Sequence, residues 1–133
     1  MVKEELIFSL SMIEQEIGKL QEQLQMIEQQ TIELQSLEES LKEIEKTQEK
    51  SMLANLGKNI FIKTEIQEKK LYVDIGKETF VKKNIPDTIK IIEKQIKKLL
   101  EAKDKILMRM QETQARAEDI IRQAQEENEE EKK

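Results

Sequence analysis

Met52-Leu-Ala-Asn-Leu-Gly-Lys-Asn-Ile-Phe-Ile-Lys-Thr-Glu-Ile66 aligns without a gap on Leu71-Tyr-Val-Asp-Ile-Gly-Lys-Glu-Thr-Phe-Val-Lys-Lys-Asn-Ile85. Gly57 falls on Gly76, Lys58 on Lys77, Phe61 on Phe80 and Lys63 on Lys82. Within each copy apolar residues recur at every second position: Ile60, Ile62, Thr64 and Ile66 share one side of a strand, and Leu71, Val73 and Ile75 share one side of the next. Each copy therefore reads as strand, glycine turn, strand, with Gln67 to Lys70 as a polar connection between the copies. The repeat predicts two β-hairpins over 51–85.

On both sides of the repeat the period changes to that of a helix. Before it, Leu6, Leu10, Ile13, Ile17, Leu20, Leu24, Ile27, Thr31 and Leu34 alternate spacings of four and three, which is a heptad seam. Leu37 arrives one residue early before Leu41 and Ile44, so a local overwinding is expected there. Gly18 lies beside the seam and marks a soft spot. After the repeat, Pro86 and Asp87 suit the first turn of a second helix. Its seam runs Ile89, Ile92, Ile96, Leu99, Lys103, Ile106, Met110, Thr113, Ala117, Ile120 and Ala124. The expected organisation is one domain over 1–133. It comprises a coiled-coil helix over 1–50, two hairpins over 51–85, a second coiled-coil helix over 86–127 and a frayed acidic tail over 128–133. The fold class is α+β, mainly α: a long antiparallel two-helix coiled coil joined by two β-hairpins.

Composition agrees with a stripe rather than a central core. Charged residues make up 38% of the 133 and aromatic residues only 3%, and Gly and Pro together number four. If the first helix ends near Lys50 and the second starts near Pro86, antiparallel partners have numbers totalling about 136. Charge favours this pairing. Residues 27–50 hold seven acids and three lysines, whereas 86–109 hold four acids and seven bases. The same register sets Thr31 against Lys103 to Ile106 as a weak polar layer.

With no cysteine and no histidine, the chain lacks thiolate and imidazole nucleophiles, the commonest zinc ligands and the usual neutral-pH base. Gly76-Lys-Glu-Thr79 is not a phosphate-binding loop, because Leu71 stands where that motif needs a glycine and Glu78 where it needs Ser or Thr. Asp74 with Glu78, and Glu118 with Asp119, read as solvated carboxylates rather than acid and base. No enzymatic activity, cofactor or metal is expected. The net charge of −5 argues against nucleic acid, and the absence of a long apolar run argues against a membrane and for the cytoplasm.

Apolar residues off the seam have no use within a two-helix hairpin. Ile7, Phe8 and Met12 near one end of the chain, and Ile121 beside the seam residue Ile120 near the other, form a candidate surface for many unrelated partners, with Met26, Ile32, Ile91 and Met108 weaker candidates. A neighbouring subunit or a wrapped seam is the competing use. In the hairpins, Leu53, Leu56, Phe61, Val73, Ile75 and Phe80 supply more apolar surface than four short strands can cover. Oligomerisation through this segment is therefore expected.

The order of parts, with Leu56-Gly57, Phe61-Ile62-Lys63, Glu65, Val73-Asp74-Ile75-Gly76 and Val81-Lys82-Lys83, resembles the alpha class of the prefoldin family over nearly the whole chain. The resemblance implies a hexamer of two alpha and four beta subunits whose hairpins join into a double barrel. The coiled-coil tips would hold unfolded clients without ATP and pass them to a group II chaperonin. Around the first glycine, Ala54-Asn55-Leu56 and Lys58-Asn59-Ile60 depart from the alpha pattern, which keeps open a gamma-like, filament-forming prefoldin. A structural coiled-coil adaptor without general chaperone activity is the alternative from a different class.

Overall fold

In the computed structural model of the chain, residues 2–131 are described. Met1, Lys132 and Lys133, which belong to the expected first helix and acidic tail, lie outside them. Helix α1 spans Val2–Lys46; strands β1 (Ser51–Gly57) and β2 (Ile60–Glu65) form one hairpin, β3 (Lys70–Gly76) and β4 (Thr79–Asn84) a second; helix α2 spans Ile85–Glu131. Each hairpin is its own two-stranded antiparallel sheet. The chain divides into two compact units, one of residues 1–31 with 98–133 and one of residues 32–97.

The unit of residues 32–97 is built on a cluster of Leu41 from α1 and Ile85, Ile89, Ile92 and Ile96 from α2, with Leu34, Ile44 and the strand residue Leu71 packed against it. Each buried isoleucine contributes on the order of 2 kcal/mol. Ile85 is the most enclosed of the five. It ends the second copy of the repeat and begins α2, so one side chain ties the hairpin to the helix pair.

The helix ends are fixed by local polar contacts. Asn84 caps α2: its Oδ1 accepts from the Asp87 backbone N–H at 2.8 Å, while its Nδ2 donates to Asp87 Oδ2 at 3.1 Å. Pro86 is thus the second helical residue rather than the first. Helix α1 stops at Lys46, four residues before the Lys50 expected, and its last carbonyls are met from outside. Lys69 Nζ donates to the Glu45 oxygen at 2.8 Å and the Thr47 oxygen at 2.7 Å. These ends, Lys46 and Ile85, give partner numbers totalling 131 rather than 136, and the cross-helix pair Glu28–Lys103 keeps that total.

The expected overwinding at Leu37 does not occur. Leu37 is 46% exposed, while Glu38 takes the inward position with its side chain largely covered and its carboxylate paired to Lys42 at 2.8 Å. The heptad holds through Leu34, Glu38 and Leu41, and the short step moves to Ile44, near the end of the helix where it disturbs little. At the other end, the described part of the tail expected to fray, 128–131, is helical. Glutamate is a good helix former, and Ala124 and Glu127 are still half-buried there.

In the unit of residues 1–31 with 98–133, Ile13, Leu20, Thr31 and Thr113 are buried. Leu6, Leu10, Ile17, Leu24 and Ile27 from α1, and Leu99, Ile106, Met110, Ala117 and Ile120 from α2, are half-buried. Thr113 is 0% exposed. Its hydroxyl is satisfied by donating to the Arg109 carbonyl at 2.7 Å, as the Thr31 hydroxyl donates to the Ile27 carbonyl at 2.7 Å.

Both hairpin turns have positive φ at two non-glycine residues, Lys58 and Asn59 in the first and Lys77 and Glu78 in the second. That is the type I′ pattern, which suits the twist of the strands but strains Lys and Glu. Replacing Lys77-Glu78 by Asn-Gly should raise stability by about 1–2 kcal/mol in urea unfolding. Gly18 sits in unbroken helix with nothing within 4 Å of where a Cβ would stand. Gly18→Ala should therefore stabilise by about 1 kcal/mol in the same measurement.

Candidate functional site

Two surfaces remain after the seams are closed. The first lies in the unit that holds both chain ends. The i,i+4 pair Phe8 and Met12 stands on α1 outside the seam, with Phe8 68% and Met12 52% exposed. Ile120 approaches from α2, and the three residues line one open groove of about 710 Å³. Ile7 and Ile121 are exposed but are not among its lining residues. Met26, Ile32, Ile91 and Met108 are exposed as well, away from the groove.

The polar side of the groove is an ion-pair network with no sign in the spacing of the sequence. One Glu16 carboxylate takes two arginines from α2. Arg109 Nε and Nη2 lie at 3.1 Å and 3.0 Å from Oε1, and Arg116 Nη2 lies at 3.0 Å from Oε2. Arg116 Nη2 also reaches the Thr113 hydroxyl at 3.5 Å. Sharing one carboxylate between two guanidiniums links the helices across 93 and 100 residues of sequence. In a chain that is 38% charged, no spacing rule singles these three residues out.

The second surface is the pair of hairpins. Leu53, Leu56, Phe61, Ile75 and Phe80 are all more than half exposed, Ile60 and Tyr72 join them, and Ile62 is half exposed. Val73 is half-buried with Leu71. Ile75 departs from these two, with which strict alternation groups it. The strand pairing shifts between Asp74 and Gly76, leaving Ile75 as the extra residue of a bulge, 62% exposed. The same shift between Asn55 and Gly57 turns out Leu56. Each bulge is pinned alike: the glycine N–H donates to the side-chain oxygen two residues earlier, Asn55 or Asp74, at 2.8 Å, and the glycine has positive φ. The repeat thus duplicates an outward apolar residue as well as a turn.

At the base of the second hairpin, Glu68 Oε1 lies 2.8 Å from Lys82 Nζ and accepts from the Tyr72 hydroxyl at 3.0 Å, with the ammonium 5.8 Å from the centre of the Tyr72 ring. The Lys82 hydrogen bond, then that of Tyr72, holds the Glu68 carboxyl below its ordinary range, and the Glu68 hydrogen bond raises Lys82. Among the described residues there is no cluster of three or more potential metal ligands, and no helix is long and apolar enough to cross a membrane.

Two helices closed by a pair of β-hairpins, with apolar residues turned outward on the hairpins and beside the chain ends, define a subunit built to be completed by others. The family model for a prefoldin subunit matches residues 13–130, and the chain belongs to the prefoldin family, a family of chaperone subunits. Among solved structures, the chain is similar to a filamentous prefoldin from Methanocaldococcus jannaschii determined by cryo-electron microscopy. The identity is 24%, over 92% of this chain and 97% of that one, with a TM-score of 0.55, and the likeness is one of fold. No curated protein matches significantly.

The Glu68–Lys82 pair makes a prediction with a definite sign. A lowered carboxylate contributes above its unfolded value of 4.5 and loses that contribution as pH falls through the folded one; a raised lysine contributes below 10.5 and loses it as pH rises. The stability difference between the wild type and Glu68→Gln should therefore be present across neutral pH and shrink at both extremes. Unfolding midpoints measured from acid to alkaline pH check this.

Proposed function

We propose that the chain is an alpha-class prefoldin subunit that holds unfolded protein without ATP. In this reading the hairpins join those of beta-type subunits in a hexamer of two alpha and four beta chains. The groove of Phe8, Met12 and Ile120, flanked by Ile7 and Ile121, takes exposed apolar segments of clients in the cytoplasm for delivery to a group II chaperonin. The observation that carries it is Phe8 and Met12, one turn apart and exposed on a helix whose seam is already closed. Solvent-facing apolar surface beside a closed seam suits varied, weakly held partners, and several subunits acting together supply avidity.

A second reading is a gamma-like prefoldin that assembles with itself. It is favoured by the duplicated hairpins, each with an outward bulge residue, Leu56 or Ile75. The first hairpin of one copy meeting the second hairpin of the next is a head-to-tail contact that does not close. The filamentous assembly named for the similar solved structure supports the same reading.

Native mass of the purified chain, alone and with a beta-type prefoldin, separates the two: a discrete heterohexamer supports the first and an open polymer the second. In either assembly, Phe8→Ser with Met12→Ser and Ile121→Ser should weaken suppression of the aggregation of a denatured protein several-fold, since each buried apolar side chain is worth about 1.5–3 kcal/mol. Undiminished protection would remove the groove from client binding.

A further inference from the structure

The groove has a charged wall, and that wall has a chemical preference. Arg109 and Arg116 face it from positions two turns apart on α2, and between them they surround one carboxylate, that of Glu16, with contacts of 3.0–3.1 Å to both of its oxygens. Lys19 adds a third positive charge to the lining. Of the two acids in the lining, Asp119 also leans toward Arg122, at 3.6 Å and outside the groove. A chain of net charge −5 thus keeps a locally cationic patch directly beside Phe8, Met12 and Ile120. The arrangement is held from behind: the buried Thr113 hydroxyl donates to the Arg109 carbonyl at 2.7 Å and receives Arg116 Nη2 at 3.5 Å.

We propose that Arg109 and Arg116 form a carboxylate-reading site in the groove, that its ligand is an apolar peptide segment carrying an acidic side chain, and that Glu16 occupies the site until such a segment arrives. This rests on the reading of the groove as a client-binding surface. Both arginine side chains are more than half exposed, and an exposed ion pair of this kind is weakly held and exchanges with solvent. An incoming carboxylate finds the same fork-shaped donors that Glu16 uses. It also brings apolar neighbours that cover Phe8, Met12 and Ile120 and exclude water from the new pair, which strengthens it relative to the old one. The groove, at about 710 Å³, has room for a few side chains. Clients would then be selected by charge as well as by hydrophobicity, with acidic-apolar segments preferred over basic-apolar ones despite the acidity of the chain as a whole.

The test uses fluorescent amphipathic peptides of about 15 residues, identical except for one Glu, Gln or Lys beside the apolar face, and the full chain in its native assembly. The Glu peptide should bind about tenfold more tightly than the Gln peptide, and the Lys peptide more weakly than either. Arg109→Gln with Arg116→Gln should abolish the difference between the Glu and Gln peptides, and Glu16→Gln should tighten the Glu peptide alone. Helicity of each variant is measured alongside. Should the double variant fail to fold, the wild type decides by salt: the preference for Glu over Gln should fall between about 0.05 M and 0.5 M salt, and a preference unchanged by salt overturns the proposal. Equal binding of Glu and Gln peptides by the wild type overturns the carboxylate site and leaves the apolar groove standing. Binding of neither peptide, or undiminished binding of the Gln peptide by Phe8→Ser with Met12→Ser, overturns the groove and the carboxylate site together.

Discussion

Two paired helices bury only the stripe that each turns to the other, and every other feature of this chain follows from how little that stripe covers. In the unit of residues 32–97 the stripe is continuous aliphatic packing from Leu41 through Ile85, Ile89, Ile92 and Ile96. In the unit with the chain ends it includes two threonines, Thr31 and Thr113, and the small Ala117 and Ala124. Threonines satisfied within their own helix cost little, but they contribute less apolar burial than leucine or isoleucine would. Cohesion there is supplemented by charges, with Glu16 and Glu28 of α1 reaching Arg109, Arg116 and Lys103 of α2.

The hairpins show the same economy of burial. Neither sheet has more than two strands, so each leaves both strand edges and most of its apolar side chains uncovered. They are attached at their bases, where Leu71 packs on the helix cluster, Lys69 caps α1 and Asn84 caps α2. Away from those attachments the bulges direct Leu56 and Ile75 outward. An isolated two-stranded sheet with this surface is incomplete by itself, and membership of a family of chaperone subunits supplies the context in which it is completed.

Groove and hairpins are thus two separate exposed apolar surfaces of one chain. The helix cluster around Ile85 holds the base of the second hairpin through Leu71. In the other unit, the surface around Phe8 and Met12 adjoins a set of exposed ion pairs.

Element order is legible in the amino-acid sequence, because period is a local property. The switch from a heptad to alternation and back marks the helices and strands, and the ungapped repeat marks two hairpins rather than one. The apolar residues off the seam were legible for the same reason: Phe8 and Met12 stand outside any register that buries their neighbours. Features set by contacts between distant residues emerge only on folding. Leu37 and Glu38 compete for one inward position, and continuity of the helix pair, not hydrophobicity, chose Glu38. Ile75 belongs by alternation with Val73, yet a bulge pinned by Asp74 turns it out. The clasp of Glu16 on Arg109 and Arg116 joins residues about a hundred positions apart. Where charged side chains are so abundant, only the pairing of the two helices determines which of them meet.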